Sequence, residues 1–200
     1  MTEQPLNVLA VVGSLNRTSA TRIVVTHAAR ALEGAGAVVD ILDLLDEPLP
    51  LFNPDSSHEA ESFGPLQARV QRADVYLLGT PDYHGCISSA MKNFLDHFWH
   101  EFAGKLFGTI VASHEKGLTV TDQLRTVARQ CYTWSLPYGV SFADQADVKD
   151  GQIISETLRT RLEMLARDVR IYGQLLAQQR RADLSGTDPG FMARWRSEAD

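Results

Sequence analysis

Short apolar runs of strand length alternate along this chain with stretches in which apolar residues recur every three or four positions, and this alternation most restricts its fold. Such a pattern describes a parallel sheet flanked by helices. The strand candidates are Leu6 to Val12, Val38 to Leu42, Val75 to Leu78, Leu106 to Ala112 and a fifth within Trp134 to Phe142, where Pro137 favours an edge position. Between them, Ile23, Val24, His27, Ala28, Ala31 and Leu32 mark the buried face of a first helix, stopped by Gly34 and Gly36. Pro65 can open a short second helix through Arg72. Ile87, Ala90, Met91, Phe94, Leu95, Phe98 and Phe102 share one face of a third. Val120, Leu124, Val127, Ala128 and Cys131 mark a fourth, and Ile154, Leu158, Leu162, Leu165, Val169, Tyr172 and Leu176 the longest. The expected count is five strands and five helices.

A chain of 200 residues can bury about 70% of its surface around one core. No linker or internal repeat divides it, so a single domain over residues 1–182 is expected. Residues 183–200 form a polar tail, with Gly186, Pro189 and Gly190, expected to be flexible or to serve subunit contacts. The stretch from Asp43 to Gly64, with Pro48, Pro50 and Pro54, is long for a connection and is expected to be functional or mobile. A net charge of −6 without a Lys/Arg run leaves no electrostatic footprint for nucleic acid. No apolar run approaches the ~18 residues of a membrane-spanning helix, and the N-terminus lacks the basic start of a secretory signal, so a cytoplasmic protein is expected. Cys86 and Cys131 form no metal-ligand spacing and are expected to be reduced thiols, with no metal site.

In an open parallel sheet, ligands sit outside the carboxyl ends of the strands, which singles out three turns. The first, Gly13 to Thr21, offers backbone N–H groups, hydroxyls and the charge of Arg17 at a helix start, a setting for phosphate. Ser14, Thr18 and Ser19 could equally serve only as helix caps. The turn is not a Gly-x-x-x-x-Gly-Lys loop, and Leu15 stands where a Gly-x-Gly-x-x-Gly loop needs its second glycine. A phosphoacceptor Asp is missing from the end of the third strand, where Thr80 stands, and the first turn holds no Cys for a phosphatase loop. The second turn, Thr80 to Ser89, combines Pro81, Tyr83 and Gly85 with small residues that let the backbone approach a flat ligand. Tyr83 either covers one face of a ring or fills a loop cluster. The third turn runs from Ser113 to Gly117.

In order and spacing these residues resemble the NADPH-dependent FMN reductase family of flavodoxin-like proteins, which includes quinone, azo-dye and chromate reductases. The family signature Gly-Ser-x-Arg-x-x-Ser is similar to Gly13-Ser14-Leu15-Asn16-Arg17-Thr18-Ser19. Its Thr-Pro-Glu-Tyr-Asn element, followed by Leu-Lys-Asn-x-x-Asp, is similar to Thr80-Pro81-Asp82-Tyr83-His84 and Met91-Lys92-Asn93-Phe94-Leu95-Asp96. The run from Pro48 to Phe52 resembles the family's proline-containing loop. This chain departs from the pattern at Asn16, at His84, at Ser88-Ser89 in place of Pro-Gly, and in a third turn without a glycine pair.

The resemblance implies a doubly wound five-stranded parallel sheet of order 2-1-3-4-5, with FMN lying across the three turns. Ser14, Arg17 and Ser19 would bind its phosphate, with Asn16, Ala20 and Thr21 also in the cofactor site and Asn16 standing where the family has its arginine. Pro81, Asp82, Tyr83, His84 and Gly85 would frame the ring, with Ser113, His114 and Gly117 completing the pocket. NADPH or NADH would give hydride to the flavin, and a quinone, azo compound, metal oxyanion or free flavin would then accept it. No catalytic side chain is nominated, because the cofactor carries the chemistry. A homodimer or homotetramer with flavin near the subunit interface is implied. Lys92, Asn93 and Asp96 are read as structural or as subunit contacts, and His27 and Cys131 as packed residues. Cys86 could be a small packed residue or could touch substrate. Two other readings stand beside this one, a non-catalytic FMN electron carrier and a hydrolase using Ser14 or Ser113, although no Gly-x-Ser-x-Gly elbow is present.

Overall fold

The computed structural model describes residues 4–61 and 63–198. In chain order the elements are β1 (Asn7–Val12), α1 (Ala20–Gly34), β2 (Val38–Asp43), α2 (Phe63–Arg72), β3 (Val75–Tyr83), β4 (Cys86–Ile87), α3 (Ser89–Asp96), β5 (Leu106–Ala112), α4 (Leu118–Gln130), β6 (Trp134–Ser135), β7 (Val140–Phe142), β8 (Val148–Lys149), β9 (Gln152–Ile153) and α5 (Glu156–Ser185). The parallel path runs β2-β1-β3-β5 and ends on β6 and β7, which both pair with β5. Counting β6 and β7 as two halves of one edge strand gives the expected order 2-1-3-4-5. Pro137 falls in the gap between the halves, where the missing N–H breaks no ladder bond.

Alternation along the strands divides the core into two layers. Val8, Ala10 and Val12 of β1 and Val75 and Leu77 of β3 face α1 and α5. Leu9, Val11, Tyr76, Leu78 and Phe107 face the other way, toward α2, α3 and α4. This period of two, buried on both sides, is the mark of a sheet sandwiched between helices. A Cβ at Gly79 would lie 2.1 Å from Val25 Cγ2, so a glycine in β3 is what lets α1 seat closely on the sheet. Gly13 N donates to Gly79 O at 2.7 Å, extending the β1–β3 contact into the first turn.

Several expectations need correction. The stripe from Ile87 to Phe102 is not one helix: Ile87 belongs to β4, α3 ends at Asp96, and residues 100–102 form a 3-10 turn. Its aromatic members are buried all the same, because Phe102 packs edge-on against Phe98 and Tyr76 while Phe94 lies tilted against Phe98 and Phe102. His27 is exposed rather than packed, since α1 buries Val25 and Ala29 instead. The domain boundary expected at residue 182 falls inside α5, and residues 191–198 fold back as a 3-10 segment. Met192 and Trp195 of that segment are buried with Ala103 against Leu184, so the tail is packed rather than flexible. The β8–β9 hairpin, with Asp150 and Gly151 both at positive φ, is an Asp-Gly turn that the strand pattern passes over.

The long connection after β2 is held in place by α3. Asn93 Oδ1 accepts from Phe52 N at 2.8 Å, and its Nδ2 donates to Pro50 O at 2.9 Å. Lys92 pairs with Asp96 one turn on. These contacts account for the Lys-Asn-x-x-Asp element as structure. Among the described residues no helix is long and apolar enough to cross a membrane, and no group of three or more His, Cys, Asp or Glu is placed to hold a metal. Cys86 and Cys131 are free thiols, the first exposed and the second buried.

Candidate functional site

The carboxyl ends of β1, β3 and β5 bring the three turns together around two adjoining cavities. The smaller, about 170 Å³, is lined at the start of α1 by Ser14, Asn16, Ser19, Ala20 and Thr21 and closed by Pro81, Asp82, Tyr83, Ala112, Ser113, His114 and Asp144. The larger, about 800 Å³, opens between the second and third turns and is lined by Asp82, His84, Gly85 and residues 113–119. Asp82, Ser113 and His114 wall both. Every residue expected at the site lines one cavity or the other, except Arg17, which is exposed and lines neither.

Local chemistry explains the small cavity. Ser19 occupies the N-cap position of α1, yet its side chain accepts no capping hydrogen bond, and no acidic residue stands in the first turn. The hydroxyl and the first-turn N–H groups are therefore available to an anion. Asn16 instead folds back to accept from Thr18 N at 3.0 Å. Arg22, in the first turn of α1, lies behind the turn rather than in the cavity, and its charge is paired with Asp43. Arg22 Nη1 donates to Asn16 O and Nη2 to Ser14 O, while Asp43 binds the guanidinium through both oxygens. Asp43 raises the Arg22 pKa further above its ordinary value, so the brace is permanently charged. Three carbonyls of the first turn, including that of Arg17, are drawn toward Arg22.

The second turn is a hairpin. Tyr83 pairs with Cys86 across His84 and Gly85, which have φ of 58° and 77°. Two left-handed residues are what a two-residue hairpin loop demands, and histidine tolerates that region better than most side chains. Ser88 caps α3: its Oγ accepts from Met91 N at 3.1 Å and donates to Gly13 O at 2.6 Å. First turn and α3 are tied together through one hydroxyl. Gln123 of α4 holds the hairpin from the other side, accepting from Ile87 N and donating to Gly85 O.

The third turn depends on Asp82 and Gly117. Ser113 Oγ donates to Asp82 Oδ2 and accepts from Glu115 N, and Gly117, at φ 60°, begins α4 where a Cβ would crowd Val111. His114 and Glu115 are exposed at the cavity wall beside Lys116. Tyr83 is 53% exposed at the mouth, with Leu118 65% exposed opposite. An elongated ligand with an anionic end and a flat body matches this pair of connected cavities. Asp144 is a lining residue missed in the sequence, although its position just past the carboxyl end of the fifth strand marks it.

Comparison with known proteins agrees with the geometry. The family model described as NADPH-dependent FMN reductase matches residues 6–147. The chain is 25% identical over 173 residues to a NADPH azoreductase of Bacillus sp., covering 84% of this chain and 92% of that protein. It is 29% identical over 173 residues to an FMN reductase (NADPH) of Pseudomonas aeruginosa, covering 81% and 89%. A flavodoxin from the domain Archaea superposes with a TM-score of 0.61 at 10% identity over 84% of this chain and 99% of that one, a likeness of fold.

Proposed function

The chain belongs to the NADPH-dependent FMN reductase family, and on that premise we propose which of its residues hold FMN and what they do. It is an NAD(P)H-dependent FMN oxidoreductase. Bound FMN supplies the acceptance and release of hydride; the protein supplies position and electrostatics. The observation that carries the assignment is the uncapped start of α1, with the Ser19 hydroxyl and free N–H groups facing a small cavity that opens into a larger one.

Ser14, Ser19, Ala20 and Thr21 bind the phosphate through hydroxyls and backbone N–H groups. Arg22 acts behind them as a positioning residue. Asp144, which lines the small cavity, would offer hydrogen-bond acceptors to the polar chain between phosphate and ring. Pro81, Tyr83, His84 and Gly85 carry one edge of the ring, with Ser113, His114 and Gly117 on the other side. Asp82, on the wall of both cavities, fixes both turns through its hydrogen bonds to Gly85 N and Ser113 Oγ. His114 and Glu115 at the open wall are placed to hand a proton to a reduced acceptor.

Small acceptors such as azo compounds and free FMN suit the wide mouth, in keeping with the relatives' names. We also infer that a second copy of the chain covers Tyr83 and Leu118 in a homodimer or homotetramer; these exposed apolar side chains ring the mouth. Light scattering showing monomer alone at micromolar concentration would contradict it. The unpaired thiols fit a reducing, cytoplasmic setting.

The phosphate assignment is tested by titrating FMN and riboflavin separately. FMN is expected to bind at least tenfold more tightly, roughly the contribution of one charge-assisted hydrogen bond, and Ser19→Ala should narrow the gap. Equal affinity for the two would remove the phosphate from the start of α1.

A further inference from the structure

A separate cavity of about 490 Å³ lies along the outer face of α1, bounded by the β8–β9 hairpin and the beginning of α5. Four basic side chains line it, Arg22, His27, Arg30 and Arg159, and no acidic side chain does. In a chain of net charge −6, three arginines and a histidine around one cavity are unexpected. Helical pitch explains the near wall: Arg22, Thr26 and Arg30 recur every four residues, with His27 beside them. The far wall is the hairpin turn, where Gly151, at φ 76°, would have open space around a Cβ.

Two of the four basic side chains are already engaged. Arg22 is bound by Asp43, and Arg159 donates to Glu156 and to the Ile153 carbonyl. Among the described residues, the side chains of Arg30 and His27 have no hydrogen-bond or ion-pair partner. The free Arg30 guanidinium lines an open cavity that no carboxylate lines, and such a group selects an oxyanion, of which phosphate matches its planar fork. Ile23 and Ile153 give the same cavity an apolar side, suited to the organic part of a phosphate ester.

We propose that this groove is a binding site for a phosphate monoester dianion. Two sources carry that group: the adenosine 2′-phosphate of the nicotinamide donor, or a separate phosphorylated ligand. The first rests on the function assigned above; the second does not.

Isothermal titration calorimetry with inorganic phosphate and with adenosine 2′-monophosphate, at low salt and with FMN present in excess, tests the proposal. Saturable binding is expected for the wild type, weakened about tenfold or more by Arg30→Ala and by Arg159→Gln. Loss of binding in these variants places it in the groove whatever occurs at the first turn, and an unchanged melting temperature shows that the fold is intact. Tighter binding of the adenosine ester, together with competition against NADPH in steady-state kinetics, identifies the donor as source. Equal binding of both probes without competition identifies a separate ligand. No saturable binding, or binding that both substitutions leave unaltered, overturns the proposal.

Discussion

Ser113 Oγ donates to Asp82 Oδ2 at 2.8 Å, while Asp82 Oδ1 accepts from Gly85 N at 2.7 Å. One carboxylate therefore shapes the second turn and fastens the third turn to it. Hydrogen bonds to an ionised group contribute roughly 1.5–3 kcal/mol each, part of it felt as the spacing of the cavity walls. Asp82→Ala is expected to lower FMN affinity about tenfold, with Asp82→Asn recovering part of the loss through its remaining acceptor. Fluorescence titration checks this; unchanged affinity in Asp82→Ala would show that the ligand does not depend on the link.

Arg22 and Arg17 separate by their placement. Arg22 braces the first turn through its carbonyls, whereas Arg17 is exposed and lines neither cavity. Arg22→Ala is expected to weaken FMN binding by at least about tenfold, and Arg17→Ala by less than about threefold, the scale of a solvent-screened contact. The reverse ranking would mean that Arg17 swings onto the phosphate and that the turn rearranges on binding.

Gly79→Ala is expected to lower the melting temperature strongly, because its methyl would have to displace Val25 of α1. Overpacking of this kind typically destabilises by about 1–3 kcal/mol. Since α1 also presents the first turn, FMN affinity should fall with it. Thermal unfolding with and without FMN measures both effects, and a neutral substitution would show that α1 can retreat from β3 freely.

Lys105 gives stability a pH dependence. Its ammonium is buried and donates to Val70 O, Gln71 O and the Tyr76 hydroxyl, yet desolvation and then the nearby Arg180 push its pKa down to about 7. Between pH 7 and 10.5 the unfolded chain keeps this proton while the folded chain has lost it, so stability rises with pH across that window. Below pH 7 both states are protonated and the penalty of burying the charge is fully present. The melting temperature of wild type is expected to rise between pH 6.5 and 9, and that of Lys105→Met to rise less. Equal slopes would show that the ammonium remains protonated throughout.

The parallel sheet and the three turns were legible from local signals, apolar runs buried on both faces and Gly, Ser and Pro at strand ends, whereas the strand order was legible only through the family resemblance. The signal failed where tertiary contacts overrode periodicity. The stripe from Ile87 to Phe102 keeps helical spacing although the chain breaks at His97, because clustering of Phe94, Phe98 and Phe102 suffices to bury it. His27 fits the apolar face by spacing, but α1 is rotated toward Val25 and Ala29 by its close approach to Gly79. Arg22 was invisible as part of the site because its partners, Asp43 and the turn carbonyls, are brought together only by the pairing of β1 with β2. Trp195 and Met192 looked like part of a polar tail until α5 returned them to Ala103.

The most direct test of the account is the visible spectrum of the protein loaded with FMN and mixed anaerobically with NADPH, for wild type and for Ser19→Ala combined with Arg22→Ala. The account predicts a bound-flavin band that bleaches within seconds in wild type, and a variant that retains its fold but little bound flavin. A variant that binds and bleaches like wild type would contradict the placement of FMN across the three turns.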